Sequence, residues 1–106
     1  QAEHIDAVDA IDAIVAVPGI DAIFIGPFDL SLSMNLPGQV DHPAVLAAIE
    51  RVREATLRAG LPLGYFGVGP ESVRYWMSRG FSLLACGVDL MMLGARAREV
   101  AASLRV

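Results

Sequence analysis

The sequence predicts an α/β fold with a parallel sheet built from repeating βα units. Three observations carry this. A glycine, six residues and a second glycine bracket three strand-like inserts, Gly19-IDAIFI-Gly26, Gly60-LPLGYF-Gly67 and Gly80-FSLLAC-Gly87. Each insert is short and mostly apolar without strict alternation, the pattern of a strand buried on both faces of a parallel sheet. Helix-like stretches separate the inserts. The first glycine of each unit suits the left-handed position that ends a helix, and the second lets the chain turn at the strand's C-terminal end.

The elements follow in order. Gln1-Ala2-Glu3 reads as the stub of a strand. Ala7, Ile11, Ile14 and Val15 keep a helical period, while Asp6, Asp9 and Asp12 take a solvated face. A strand and a long loop follow, and Leu30-Ser31-Leu32 opens a short helical turn after Gly26-Pro27. The run from Pro43 to Ala59 is the clearest helix, with Asp41 or His42 at its N-cap and Pro43 in its first turn. Ala44, Ala47, Ala48, Val52, Ala55 and Thr56 give it a packing stripe, and Glu54 and Arg58 form an attractive pair. Pro70 to Arg79 forms a shorter helix with Val73, Trp76 and Met77 inward. Asp89 to Leu104 is the last, with Leu93, Ala97, Val100, Ala101 and Leu104 as its stripe, Asp89 as its N-cap, and Met91 and Met92 as candidates for a subunit contact. Cys86 lies inside an apolar strand and is expected to be buried and inert. Only three complete βα units are present, and a closed (β/α)8 barrel needs roughly 250 residues. The chain therefore reads as rather less than half of such a barrel.

Composition excludes whole classes of function. The 106 residues are 55% hydrophobic with one cysteine, which rules out a disordered segment, a disulfide scaffold and a thiolate zinc site. No apolar run reaches about 18 residues, so no membrane span is predicted. No basic n-region opens the chain, so no signal peptide is expected and the location is expected to be cytoplasmic. The chain opens at Gln1, which points to processing or truncation. All eight basic residues are Arg, so this chain offers no Lys for a Schiff base. Residues 1–50 carry eight acids and no Arg; residues 51–106 carry all eight Arg and four acids. The acidic half argues against a nucleic-acid partner and is compatible with a bound cation.

In βα folds, chemistry gathers at the C-terminal ends of the strands. Glu3 and Asp29 are acids at the ends of consecutive strands, which lie about 4.8 Å apart when paired. Two carboxylates facing one mouth suit a hard divalent cation; as ordinary loop acids they would face water. Ser31 either helps a helix opening hold an anion or caps a helix. His4 follows Glu3 and would point the other way on a strand, and His42 reads as a cap. Gly67-Val68-Gly69 is too short to mark a phosphate loop.

The run from Ala16 to Ser31, AVPGIDAIFIGPFDLS, resembles the metal-dependent (class II) pyruvate aldolases of the HpcH/HpaI family, which act on 4-hydroxy-2-oxoheptanedioate and 2-keto-3-deoxy sugar acids. The Gly-Pro-x-Asp-Leu-Ser segment is specific, and Gln1-Ala2-Glu3 places Glu3 26 positions before Asp29, the family's separation. The resemblance extends over residues 1–106 and implies a partial barrel from the end of strand five to helix eight.

Position by position, the resemblance implies Glu3 and Asp29 as ligands of a divalent cation, Mg²⁺, Mn²⁺ or Co²⁺. It implies Gln1 as a contact to pyruvate, and Phe28 as the residue whose backbone N–H meets the pyruvate carboxylate. Phe28 departs from the small residue usual there and would narrow the aldehyde side. His4 and Asn35 depart from the Thr and Gly usual at their positions, and neither is a ligand. The implied reaction is aldol cleavage or condensation, joining a pyruvate enolate and an aldehyde without a Schiff base. The family's base and Arg come from earlier strands, so no catalytic base is expected in residues 1–106. The resemblance also implies a homo-oligomer, a hexamer whose last helix packs on a neighbouring subunit. Two other readings remain at this point: an acyl-CoA lyase of the citrate-lyase β or malyl-CoA lyase type, and a non-catalytic metal-binding half-barrel.

Overall fold

The structure, a computed structural model, describes residues 1–105. Two short helices, α1 (Ile5–Asp9) and α2 (Ile11–Val15), lead to strand β1 (Ile23–Ile25). Helices α3 (Pro27–Ser33) and α4 (Pro43–Arg58) then precede β2 (Leu63–Gly67). Helix α5 (Pro70–Met77), strand β3 (Leu83–Cys86) and helix α6 (Asp89–Ser103) complete the order. The strands pair in parallel in the order β1-β2-β3. Ala2 adds a single parallel bridge to Ile25, with its N–H donating to the Phe24 carbonyl at 2.7 Å. The three-unit parallel architecture is thus the one expected.

Glycine conformation explains the repeated spacing. Gly19, Gly60 and Gly80 have φ of 90°, 72° and 92°, the left-handed region in which a Cβ is strained. Each lies at the entry to a strand.

Strand register sorts the side chains onto two faces. Ile25, Tyr65 and Leu84 are aligned and face the helices; Phe66 and Ala85 are aligned on the other side, which Phe24 and Leu83 share by alternation. The core lies on the helix face, where Ile23, Ile25, Leu63 and Tyr65 meet Ile11, Val45, Ile49 and Val52. Tyr65, Trp76 and Phe81 close it at the far side, with ring centroids 5.0 to 5.9 Å apart. Among the described residues no helix packs on the opposite face, and Leu83 there is 50% exposed.

Several expectations are corrected. The first helix breaks at Ala10 into α1 and α2. The predicted turn at Leu30-Ser31-Leu32 belongs to the full helix α3, started by Pro27. In α4 the buried stripe is Val45, Ala48, Ile49, Val52, Ala55 and Thr56, so Ala44 and Ala47 face solvent. Met77 is 56% exposed, because one residue past Trp76 turns a helix by about 100° away from the core. Cys86 is exposed rather than buried: β3 is an edge strand and α6 does not cover it. The stripe of α6 is no correction: none of the helix's residues is buried, and Leu93, Val100 and Leu104 lie open, as expected of a face suited to a neighbouring subunit. The molecule measures 60 × 28 × 22 Å, as a helix standing off the sheet requires. Among the described residues no helix is long and apolar enough to cross a membrane.

The charge asymmetry is partly internal. Asp12, expected on a solvated face, accepts from Arg51 at 2.5 Å and Arg58 at 2.9 Å, joining α2 to α4. Those two guanidinium groups hold its carboxyl below the usual carboxylate range. Arg58 therefore turns to Asp12 rather than to Glu54. Glu50 accepts from Arg79 at 2.5 Å, joining α4 to the end of α5.

Candidate metal and substrate site

The bridge at Ala2 sets the first half of the site. Ala2 packs into the core at 3% exposure, so alternation turns Gln1 and Glu3 to the helix-free face. Glu3 then lies over Gly26. A Cβ built on Gly26 would sit 2.8 Å from Glu3 Oε2 and 3.2 Å from Glu3 Cβ. Gly26 has φ −98° and ψ 90°, within reach of any residue. Glycine therefore stands here for space, and the space is filled by the Glu3 side chain.

Helix α3 sets the second half. Gly26 is its N-cap, Pro27 its first residue and Asp29 an acid of its first turn. A negative side chain is favoured there by the helix dipole. The first-turn N–H groups of Phe28 and Asp29 have no acceptor within the helix and point to its N-terminal end.

Gln1, Glu3, Phe28 and Asp29 all line one cleft of about 410 Å³, walled by Phe24, Phe66, Val68 and Ala85. The structure thus brings together every predicted site residue. Two carboxylates with open space beside them fit a hard divalent cation that keeps further positions for water or substrate oxygens. Among the described residues no group of three or more His, Cys, Asp or Glu side chains gathers in one place. A cleft of about 470 Å³ on the helix side, among Asp41, Tyr65, Tyr75 and Trp76, holds a single carboxylate.

The other candidates are structural. His4 caps α1, its Nδ1 accepting from the Asp6 N–H at 3.2 Å, and His42 caps α4 in the same way through Ala44. Ser31 is fully buried; its hydroxyl donates to the Phe28 carbonyl at 2.6 Å and accepts from the Gly38 N–H at 3.1 Å. It ties the following loop to α3. Asp89 is not the N-cap of α6, which is Val88, although its Oδ1 accepts from the Leu90 N–H at 2.8 Å. Gly67 is a glycine because Ser72 and Val73 press on it, and Val68 is a wall of the cleft. One residue escaped the sequence reading. Ser33 donates to the Leu30 carbonyl at 2.8 Å and accepts from the Ile5 N–H at 3.0 Å.

Comparison with known proteins places the chain in a family. The profile of the HpcH/HpaI aldolase/citrate lyase family matches residues 1–95. The chain belongs to this family. A hydroxypyruvate/pyruvate aldolase of Cupriavidus necator is 41% identical over 105 residues, covering 99% of this chain and 39% of that protein. A 2-keto-3-deoxy-L-rhamnonate aldolase of Escherichia coli is 38% identical over 92 residues, covering 87% of this chain and 34% of that protein. Among solved structures, an HpcH/HpaI aldolase/citrate lyase family protein from Burkholderia cenocepacia superposes with a TM-score of 0.94 at 32% identity. That match covers 100% of this chain and 41% of the other. The chain thus spans about two fifths of the length of the relatives it matches. Its three βα units are part of the family's (β/α)8 barrel, and its helix-free sheet face is the barrel's inner face.

Proposed function

We propose that the protein containing this chain is a carbon–carbon lyase that cleaves or forms 2-keto acids by a metal-dependent aldol reaction between pyruvate and an aldehyde. The observation that carries this reading is the seating of the Glu3 carboxylate over Gly26, in the cleft that Asp29 shares. The relatives named as hydroxypyruvate/pyruvate and 2-keto-3-deoxy-L-rhamnonate aldolases support the substrate class.

Glu3 and Asp29 would hold the cation, Mg²⁺, Mn²⁺ or Co²⁺. A divalent cation held there supplies Lewis acidity toward a keto oxygen. The chain's own groups orient the substrate. The Gln1 amide and the Phe28 N–H bind the pyruvate end, and the exposed Phe28 ring narrows the side where the aldehyde enters. Proton transfer falls to a base on barrel strands other than these, because His4 and His42 both serve as helix caps outside the cleft. The chain corresponds to the barrel from the end of strand five to helix eight. Its open α6 stripe is the surface a neighbouring subunit covers in a homo-oligomer, of hexameric order by family resemblance. We place the enzyme in the cytoplasm as part of the same reading.

The test is pyruvate release from 4-hydroxy-2-keto acids by the complete protein, with and without Mn²⁺. Release that EDTA abolishes, that Mn²⁺ restores, and that Asp29→Asn lowers at least about 100-fold supports the proposal. Release that persists in EDTA would sink it.

A further inference from the structure

We infer that Ser33 is a positioning residue that fixes the separation of the Glu3 and Asp29 carboxylates. The inference rests on reading those two acids as the ligands of one cation. They lie on separate segments, and the structure shows what joins the segments. Ile5 is the first residue of α1 and lies two residues after Glu3. Its N–H belongs to the first turn, which has no acceptor within the helix. His4 caps the next N–H, that of Asp6, and leaves the Ile5 N–H for another partner. That partner is Ser33 Oγ, 28 residues away, at 3.0 Å.

Ser33 is suited to the task from its own side. It follows Asp29 by four residues on α3, so the two lie on one face of the helix, a turn apart. Its hydroxyl proton is donated to the Leu30 carbonyl at 2.8 Å, which holds the rotamer and leaves an oxygen lone pair for Ile5. A single hydroxyl therefore connects the backbone just after Glu3 to the helix that carries Asp29. Ser31 is a different case, since its two bonds stay within α3 and the loop that follows. A binding constellation must be held within about 0.5 Å to work, and a hydrogen bond between the two ligand-bearing segments is a device for doing so.

The experiment measures Mn²⁺ affinity of the complete protein by titration, with the electron paramagnetic resonance spectrum of the bound ion as a second readout. Ser33→Ala removes the acceptor of Ile5 and is expected to weaken Mn²⁺ about tenfold and broaden the spectrum. Ser33→Thr keeps the hydroxyl and is expected to stay within about twofold of the parent. Arg51→Gln, which breaks the remote ion pair to Asp12, tests whether any loss of stability suffices; its affinity is expected to equal the parent's. Loss of Mn²⁺ binding in Glu3→Gln and Asp29→Asn, with Ser33→Ala binding as tightly as the parent, overturns the positioning role alone. Binding that survives Glu3→Gln and Asp29→Asn overturns the ligand assignment, and the inference with it.

Discussion

The substitution Gly26→Ala isolates the geometry on which the site depends. The new methyl carbon would start 2.8 Å from Glu3 Oε2, while ordinary contact begins at 3.4 Å. The carboxylate oxygen must retreat by about 0.6 Å, more than the roughly 0.5 Å a functional constellation tolerates. Mn²⁺ affinity should fall about tenfold, the lower end of what disturbed ligand support costs. Global stability should hardly change. The backbone angles at Gly26 suit alanine, and replacing glycine stiffens the unfolded chain by about 0.4–1 kcal/mol, which offsets the local crowding. Isothermal titration with Mn²⁺ reads the first quantity and urea unfolding the second. Undiminished affinity in Gly26→Ala, at parental stability, would refute the reasoning: the Glu3 carboxylate would not be the group that holds the ion.

Two further outcomes are expected. Asp12→Asn should lower the urea midpoint at neutral pH. The Asp12 pKa is lowered in the folded state by Arg51 and Arg58, so its contribution is present above the ordinary value and fades as pH falls through the folded one. Parent and variant midpoints should therefore converge as the pH falls below the ordinary carboxylate range, and a difference that does not shrink on acidification would contradict the assignment. Leu93→Arg places a charge on the open stripe of α6, where Leu93 is 67% exposed. Sedimentation velocity should show smaller assemblies than the parent with the circular dichroism spectrum unchanged; an unaltered sedimentation coefficient would remove α6 from the interface.

The sheet was legible because its signals are local. A left-handed glycine before each strand and an apolar insert after it need no tertiary information, and Gly19, Gly60 and Gly80 confirm the first of these with positive φ. Burial was less legible wherever a partner element decides it. Cys86 looks like core in an apolar sequence, yet β3 is an edge strand and α6 stands away and leaves it open. Asp12 failed in the opposite sense. Its helical spacing with Asp6 and Asp9 suggests a solvated face, and only the packing of α2 on α4 brings Arg51 and Arg58 to it.

The site divides along the same line. Gln1, Glu3, Phe28 and Asp29 were readable because the family resemblance marks positions, and the structure places all four in one cleft. What holds them in place was not readable. Gly26 looks like one more turn glycine until the Glu3 carboxylate is found in the volume its missing Cβ leaves. Ser33 looks like one more helix serine until its second lone pair is found on Ile5. Ligand type is a property of a residue, whereas ligand placement is a property of contacts between distant segments. For two carboxylates borne on different segments, the second property decides whether they bind one cation or none. That is why the decisive substitutions here are at Gly26 and Ser33, neither of which could itself touch the ion through a charged group.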